Sequence, residues 1–145
     1  MRSAMLWREI RDVARLLPDP TRAIWRLSVP PAHGADVVSD ITAPPRSEGG
    51  GRAVGSTPEY YYDWAGGLVW LALPPAENAA VAAIRAGVAR HGGGHATLMR
   101  APDALRLAVS VFEPQPEPLA ALAARVKEAF DPRRILNPGR LRPDL

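Results

Sequence analysis

The chain is 145 residues long, 47% hydrophobic and 23% charged, the make-up of a soluble domain with material for one core. It contains no cysteine, which excludes a disulfide framework, a thiolate metal site and a thiol nucleophile. The formal charge is +3, and the cations, all arginine except Lys127, are scattered among acids as a solvated surface, not gathered into the basic stripe of a nucleic-acid binder.

The opening MRSAMLWREIRDVARLL interrupts its apolar residues with arginines and acids, so it fits neither a signal peptide nor a membrane span and points to a cytoplasmic protein. From Ser3, a candidate N-cap, to Leu17, the residues Leu6, Ile10, Val13 and Leu17 recur at helical spacing, and Pro18 and Pro20 end the helix. In IWRLSVPP the period changes to two, with Trp25, Leu27 and Val29 on one side of a predicted strand that Pro30 and Pro31 stop. AHGADVVSDI predicts a short helix burying Val37, Val38 and Ile41, although Gly34 weakens its first turn. Residues 43–58 have no apolar period and are crowded with Gly, Pro and Ser, which predicts a flexible loop.

EYYYDWAGGLVWLAL predicts a β-hairpin: strands over roughly Glu59 to Trp64 and Leu68 to Leu73, joined through Ala65, Gly66 and Gly67 where a tight turn needs positive φ. AENAAVAAIRAGVARH places Val81, Ile84 and Val88 on one helical face, stopped by Gly92 to Gly94, and HATLMRA reads as one more strand. Beyond Pro102 come a short turn or helix, the extended VFEPQPEP, and a final amphipathic helix with Leu119, Leu122, Val126 and Phe130 on one face, closing at Asp131-Pro132. After the leading helix the order is strand, helix, strand, strand, helix, strand. That predicts an α+β, ferredoxin-like (split βαβ) antiparallel sheet with flanking N- and C-terminal helices. Its second face must be covered or used, and part of the set Trp25, Tyr60, Tyr62, Trp64 and Trp70 is expected there.

Candidate chemistry is thin. His91 and His95 have a metal-like spacing, but three intervening glycines destroy the helix that would bring both imidazoles to one ion, so no metal site is expected. GGGR at Gly49 to Arg52 lacks the lysine and hydroxyl of a phosphate loop, and Asp63 reads as a strand-end or turn residue. LNPGR has more content: Asn137 before Pro138 is expected to be extended, Pro138 and Gly139 suit the centre of a type II turn, and Arg140 is thereby aimed in a fixed direction.

Three stretches, YYYDWAGGLVWLAL, GGGHATLMRAP with PLAALAARVKEAFDP, and the closing RRILNPGRL, resemble the C-terminal half of the FAD-linked oxidases of the vanillyl-alcohol oxidase superfamily. Within it the likeness is strongest to the FAD-binding E subunits of bacterial glycolate oxidases, and LWREIRDVARLLPDPTRAIWRLSVPP extends it over nearly the whole chain. The resemblance implies that residues 1–145 form a cap or substrate domain whose tail, from about 111 to 145, returns to a flavin-binding domain that these residues do not contain. It makes Asn137 and Arg140 the candidate contacts to FAD, and leaves the catalytic residues unassigned. It also implies oxidation of glycolate or a related 2-hydroxy acid by hydride transfer to FAD, in company with a flavin-binding N-terminal half, a homologous catalytic flavoprotein subunit and an iron–sulfur subunit. Such a complex allows peripheral attachment to the inner face of the membrane, and the chain alone is expected to be inactive. The alternative is a stand-alone ferredoxin-like module that binds a ligand or dimerises.

Overall fold

In a computed structural model of the chain, residues 2–43, 57–74 and 79–142 are described. Four strands, β1 (Ala23–Ser28), β2 (Glu59–Asp63), β3 (Leu68–Leu73) and β4 (His95–Arg100), make one antiparallel sheet in the order β2-β3-β1-β4. This is the ferredoxin-like order expected from the alternation of periods. The period-two pattern of β1 explains its central place: Trp25 and Leu27 are fully buried on one face, while Ile24, Arg26 and Ser28 point to the other.

Two helices, α2 (Gly34–Thr42) and α3 (Ala79–Arg90), pack together on the Trp25 face. The apolar stripes read from the sequence are the ones used. Val37, Val38, Val81, Ile84 and Val88 are buried with Trp25, Leu71 and Leu98 in the main core, and Ile41 packs against its margin. Gly34, which costs helix propensity, is required by packing. A Cβ there would lie 2.2 Å from the carbonyl oxygen of Gly66, so only glycine lets the start of α2 touch the hairpin tip.

The hairpin turn begins one residue earlier than expected. Trp64 (φ 49°), Ala65 (φ 51°) and Gly66 (φ 92°) take the left-handed conformation, Gly67 does not, and Trp64 leaves the strand. Asp63 stabilises this turn by accepting the Trp64 N–H at 2.7 Å, the role expected of it.

The leading helix is the largest departure. The helix α1 (Arg2–Arg11) already includes Ser3, which therefore is no cap, and it stops well before Leu17. Val13 is left-handed (φ 56°) and a short 3₁₀ turn follows over Ala14–Leu16. The break has a packing cause. It turns Val13 and Leu16 down onto Ile24 and Ala72 to form a second small core, and leaves Leu6 and Leu17 exposed.

At the other end, α4 (Asp103–Ala108) leads into a segment that runs along β4, and α5 (Glu117–Phe130) follows. The predicted apolar face of α5 exists but is bare: Leu119, Leu122 and Val126 are about half exposed and Phe130 is 84% exposed. Most of the predicted loop at 43–58, and with it the glycine run at Gly49 to Arg52, lies outside the described residues.

Candidate functional site

Strand register decides which side chains the second sheet face offers. Tyr61, Trp70, Arg26 and Thr97 form one row across β2, β3, β1 and β4, all half-buried and turned away from α2 and α3. One flank of the row is closed by the N-terminal segment. Tyr61 donates its hydroxyl to the Ile10 carbonyl at 3.1 Å, and Arg100 donates to the carbonyls of Leu17 and Asp19 at 2.9 and 2.6 Å. The buried Arg22 pairs with Glu59 at 2.9 Å on the same side. Among the described residues Arg26 has no ion-pair partner, so a half-buried guanidinium stands beside an indole on a sheet face that the N-terminal segment covers only in part.

The aromatic set expected on this face is only partly there. Trp25 lies beneath the helices, and Tyr60 and Tyr62 share its side of the sheet, meeting edge to face at 5.6 Å. Trp64 projects from the hairpin turn at 76% exposure. Of that set Trp70 alone faces the second side, joined by Tyr61. The period of two sorts neighbours to opposite faces, and register, which sequence spacing does not give, decides which.

Beside the row, toward the C-terminus, a groove of about 890 Å³ is lined by His95, Thr97, Phe112, Leu119, Leu141 and Arg142, among others. Its wall is tied to the sheet edge. Leu98 donates its N–H to the Val111 carbonyl at 2.8 Å, Ala96 donates to the Glu113 carboxylate at 3.1 Å, and Arg85 reaches over to the carbonyls of Ser110 and Phe112 at 2.7 and 3.1 Å.

The tail is organised by one carboxylate. Asp131 ends α5, is buried, and accepts the N–H groups of Ile135 and Leu136 at 3.0 and 2.9 Å together with the Lys127 ammonium at 2.5 Å. The Lys127 contact, followed by the Leu136 and Ile135 amides, holds its carboxyl below the ordinary carboxylate range. Lys127 also donates to the Leu136 carbonyl at 2.6 Å, so Leu136 is gripped by both its N–H and its carbonyl.

Directly beyond the grip the chain reverses. Asn137 is left-handed (φ 46°), not extended as its place before Pro138 suggests, because the chain must turn as soon as Leu136 is fixed and asparagine tolerates that region. Pro138 and Gly139 (φ 70°) do occupy the centre of a turn closed by the Arg140 N–H on the Asn137 carbonyl at 3.2 Å, which matches a type II turn. Asn137 and Arg140 are both exposed on it. Phe130, Ile135 and Leu136 are exposed as well, so the tail is held by polar contacts and not by burial of its apolar residues.

The two histidines considered together in the sequence part company. His95 faces the groove, whereas His91, at the end of α3, lies 2.9 Å from Asp40 of α2 and has its ring centre 6.1 Å from that of His33. Spacing along the chain carries no trace of the His33–His91 pair, which forms only because α2 and α3 lie side by side.

Residues 111–141, from the strip along β4 through α5 to the end of the turn, match the family model of FAD linked oxidases, C-terminal domain. The chain is similar to the FAD-linked oxidases. Over 143 residues it is 28% identical to the glycolate oxidase subunit GlcE of Escherichia coli K12, an alignment that takes in 99% of this chain and 33% of that protein. The chain thus spans about a third of the length of this curated relative. No solved structure matches. The likeness expected from the hairpin and the closing RRILNPGRL is therefore found, and its family match falls on the segment whose apolar face is uncovered. No helix among the described residues is long and apolar enough to cross a membrane.

Proposed function

We propose that the chain is the C-terminal part of the FAD-binding subunit of a glycolate oxidase, a cap domain that completes a flavin site together with a flavin-binding half. One observation carries this reading: residues 111–141, which match the FAD-linked oxidase model, present the bare apolar stripe of α5 and a pinned cationic turn. An amphipathic helix with nothing on its face is built to be covered.

The donors available suit FAD. Asn137 supplies an amide able to donate and accept, and Arg140 a guanidinium suited to an anionic pyrophosphate, both exposed on a turn whose direction Asp131 fixes. Held there, FAD would supply the hydride acceptor for oxidation of the 2-hydroxy acid. On the sheet face, Arg26, which has no ion-pair partner among the described residues, stands beside Trp70 and supports an anionic ligand, a carboxylate-bearing substrate or the cofactor, held against an apolar ring. The relative is by name one subunit of an oxidase, which supports assembly with partner subunits; on the resemblance we take these to be a homologous catalytic flavoprotein and an iron–sulfur subunit, on the cytoplasmic side of the membrane.

The test joins the chain to the part of the GlcE relative that the alignment leaves uncovered and adds the partner subunits of that oxidase. Visible flavin absorbance that co-purifies, with turnover of glycolate, is expected. A colourless complex with no 2-hydroxy-acid oxidation overturns the reading, and a stable flavin-free dimer of the chain alone establishes the binding-module alternative.

A further inference from the structure

We propose that His33, Asp36 and His91 form a solvent-open site for a divalent first-row transition ion of the zinc type. The nearest ligand atoms of the three residues lie within 4.8 Å of one another, and His33 Nδ1 and Asp36 Oδ2 are 3.4 Å apart. Ligands on a tetrahedral ion with bonds of about 2.0–2.1 Å stand roughly 3.3 Å apart, so one edge of the site is already at length and the others are no longer than 4.8 Å. Two imidazoles and one carboxylate form a donor set that favours zinc, cobalt or nickel over magnesium or calcium.

The backbone brings these residues together from 58 positions apart. His33 and Asp36 are one turn apart at the start of α2, and His91 follows the last turn of α3, where Gly92 (φ 92°) bends the chain. A Cβ on Gly92 would lie 3.3 Å from Pro30 and 3.8 Å from His33, so glycine lets the two ends approach. The surroundings match a metal site. Asp40 accepts from His91 Nε2 at 2.9 Å and is itself held by Arg90, an arrangement that orients an imidazole so that its other nitrogen can ligate. Side-chain exposures of 46% for His33, 60% for Asp36 and 21% for His91 leave an open side for water or a further ligand. This inference is independent of the flavin reading.

The test titrates Co²⁺, then Zn²⁺, into the metal-free chain. One equivalent of Co²⁺ giving visible ligand-field bands, displaced by Zn²⁺, is expected, with a Zn²⁺-dependent rise in thermal midpoint. His33→Ala and His91→Ala abolish the bands, Asp40→Asn weakens binding by roughly 10-fold or more, and His95→Ala changes nothing. Thermal midpoints in chelator confirm that the variants fold, and His33→Gln replaces His33→Ala if the latter does not. Absence of saturable Co²⁺ binding, or binding that survives loss of His33 and of His91, overturns the proposal.

Discussion

Asp131 and Lys127 stand one helical turn apart at the end of α5 and grip the same residue on both sides, the aspartate on the Leu136 N–H and the lysine on the Leu136 carbonyl. Through that grip a helix end, usually a frayed place, becomes a fixed mount for the turn at Asn137 and Arg140.

Replacing Asp131 by alanine removes the acceptor of two amides and of Lys127 together. Amide exchange at Ile135 and Leu136 is expected to accelerate by roughly an order of magnitude, with core amides such as Leu98 unchanged. Equal acceleration in the core would show that the tail is no separate unit.

The same carboxylate sets a pH dependence. Its native pKa lies below the ordinary 3.8, so its contribution is complete above that value and is lost as pH falls through the native value. Protection at Ile135 and Leu136 should therefore be flat from neutrality down to about pH 4 and decline only in stronger acid. A decline already near pH 6 would contradict this assignment.

Gly34→Ala places a methyl group 2.2 Å from the Gly66 oxygen, backbone against backbone, where no rotamer relieves the clash. Despite alanine's better helix propensity, a loss of about 1–3 kcal/mol is expected, measurable by urea unfolding.

Ile84 and Phe130 give opposite results in the chain by itself. Ile84 is fully buried, so Ile84→Ala is expected to cost about 2–5 kcal/mol. Phe130 is 84% exposed, and Phe130→Ser is expected to fall within about 0.5 kcal/mol of the unaltered chain. In the proposed assembly Phe130→Ser should weaken association with the flavin-binding half, read by co-purification, because that partner is the proposed cover of the α5 face.

Arg26→Gln tests the sheet face. Because Arg26 pairs with no described residue, the thermal midpoint should not drop, while in the proposed assembly the KM for the proposed 2-hydroxy-acid substrate should rise. A lower midpoint with unchanged KM would make Arg26 structural.

The legible part of this fold was what repeats. Val37, Val38, Val81, Ile84 and Val88 sit on helical faces and Trp25 and Leu27 on a strand face because burial imposes those periods, and the alternation of periods is enough to fix the ferredoxin-like order. What stayed hidden depends on residues remote in the chain. Val13 breaks a well-patterned helix because Ile24 and Ala72 need cover, and no local glycine or proline signals it. The side taken by Tyr61 rather than Tyr60 follows from register with Val69, Trp70 and Leu71. The sign of φ at Asn137 follows from a carboxylate six residues earlier. Periodicity announced an apolar face on α5 but carried no word of what would lie against it.

The strip at Ser110 to Glu113, which leads into α5, is bonded to β4 at Val111 and Glu113 and to Arg85 of α3 at Ser110 and Phe112. A partner that seats on α5 thus loads β4 through a splinted joint, not a loose hinge. Movement of the tail is then expected to reach Ala96 and Leu98 on the edge strand β4, so that the strip and the sheet edge shift together.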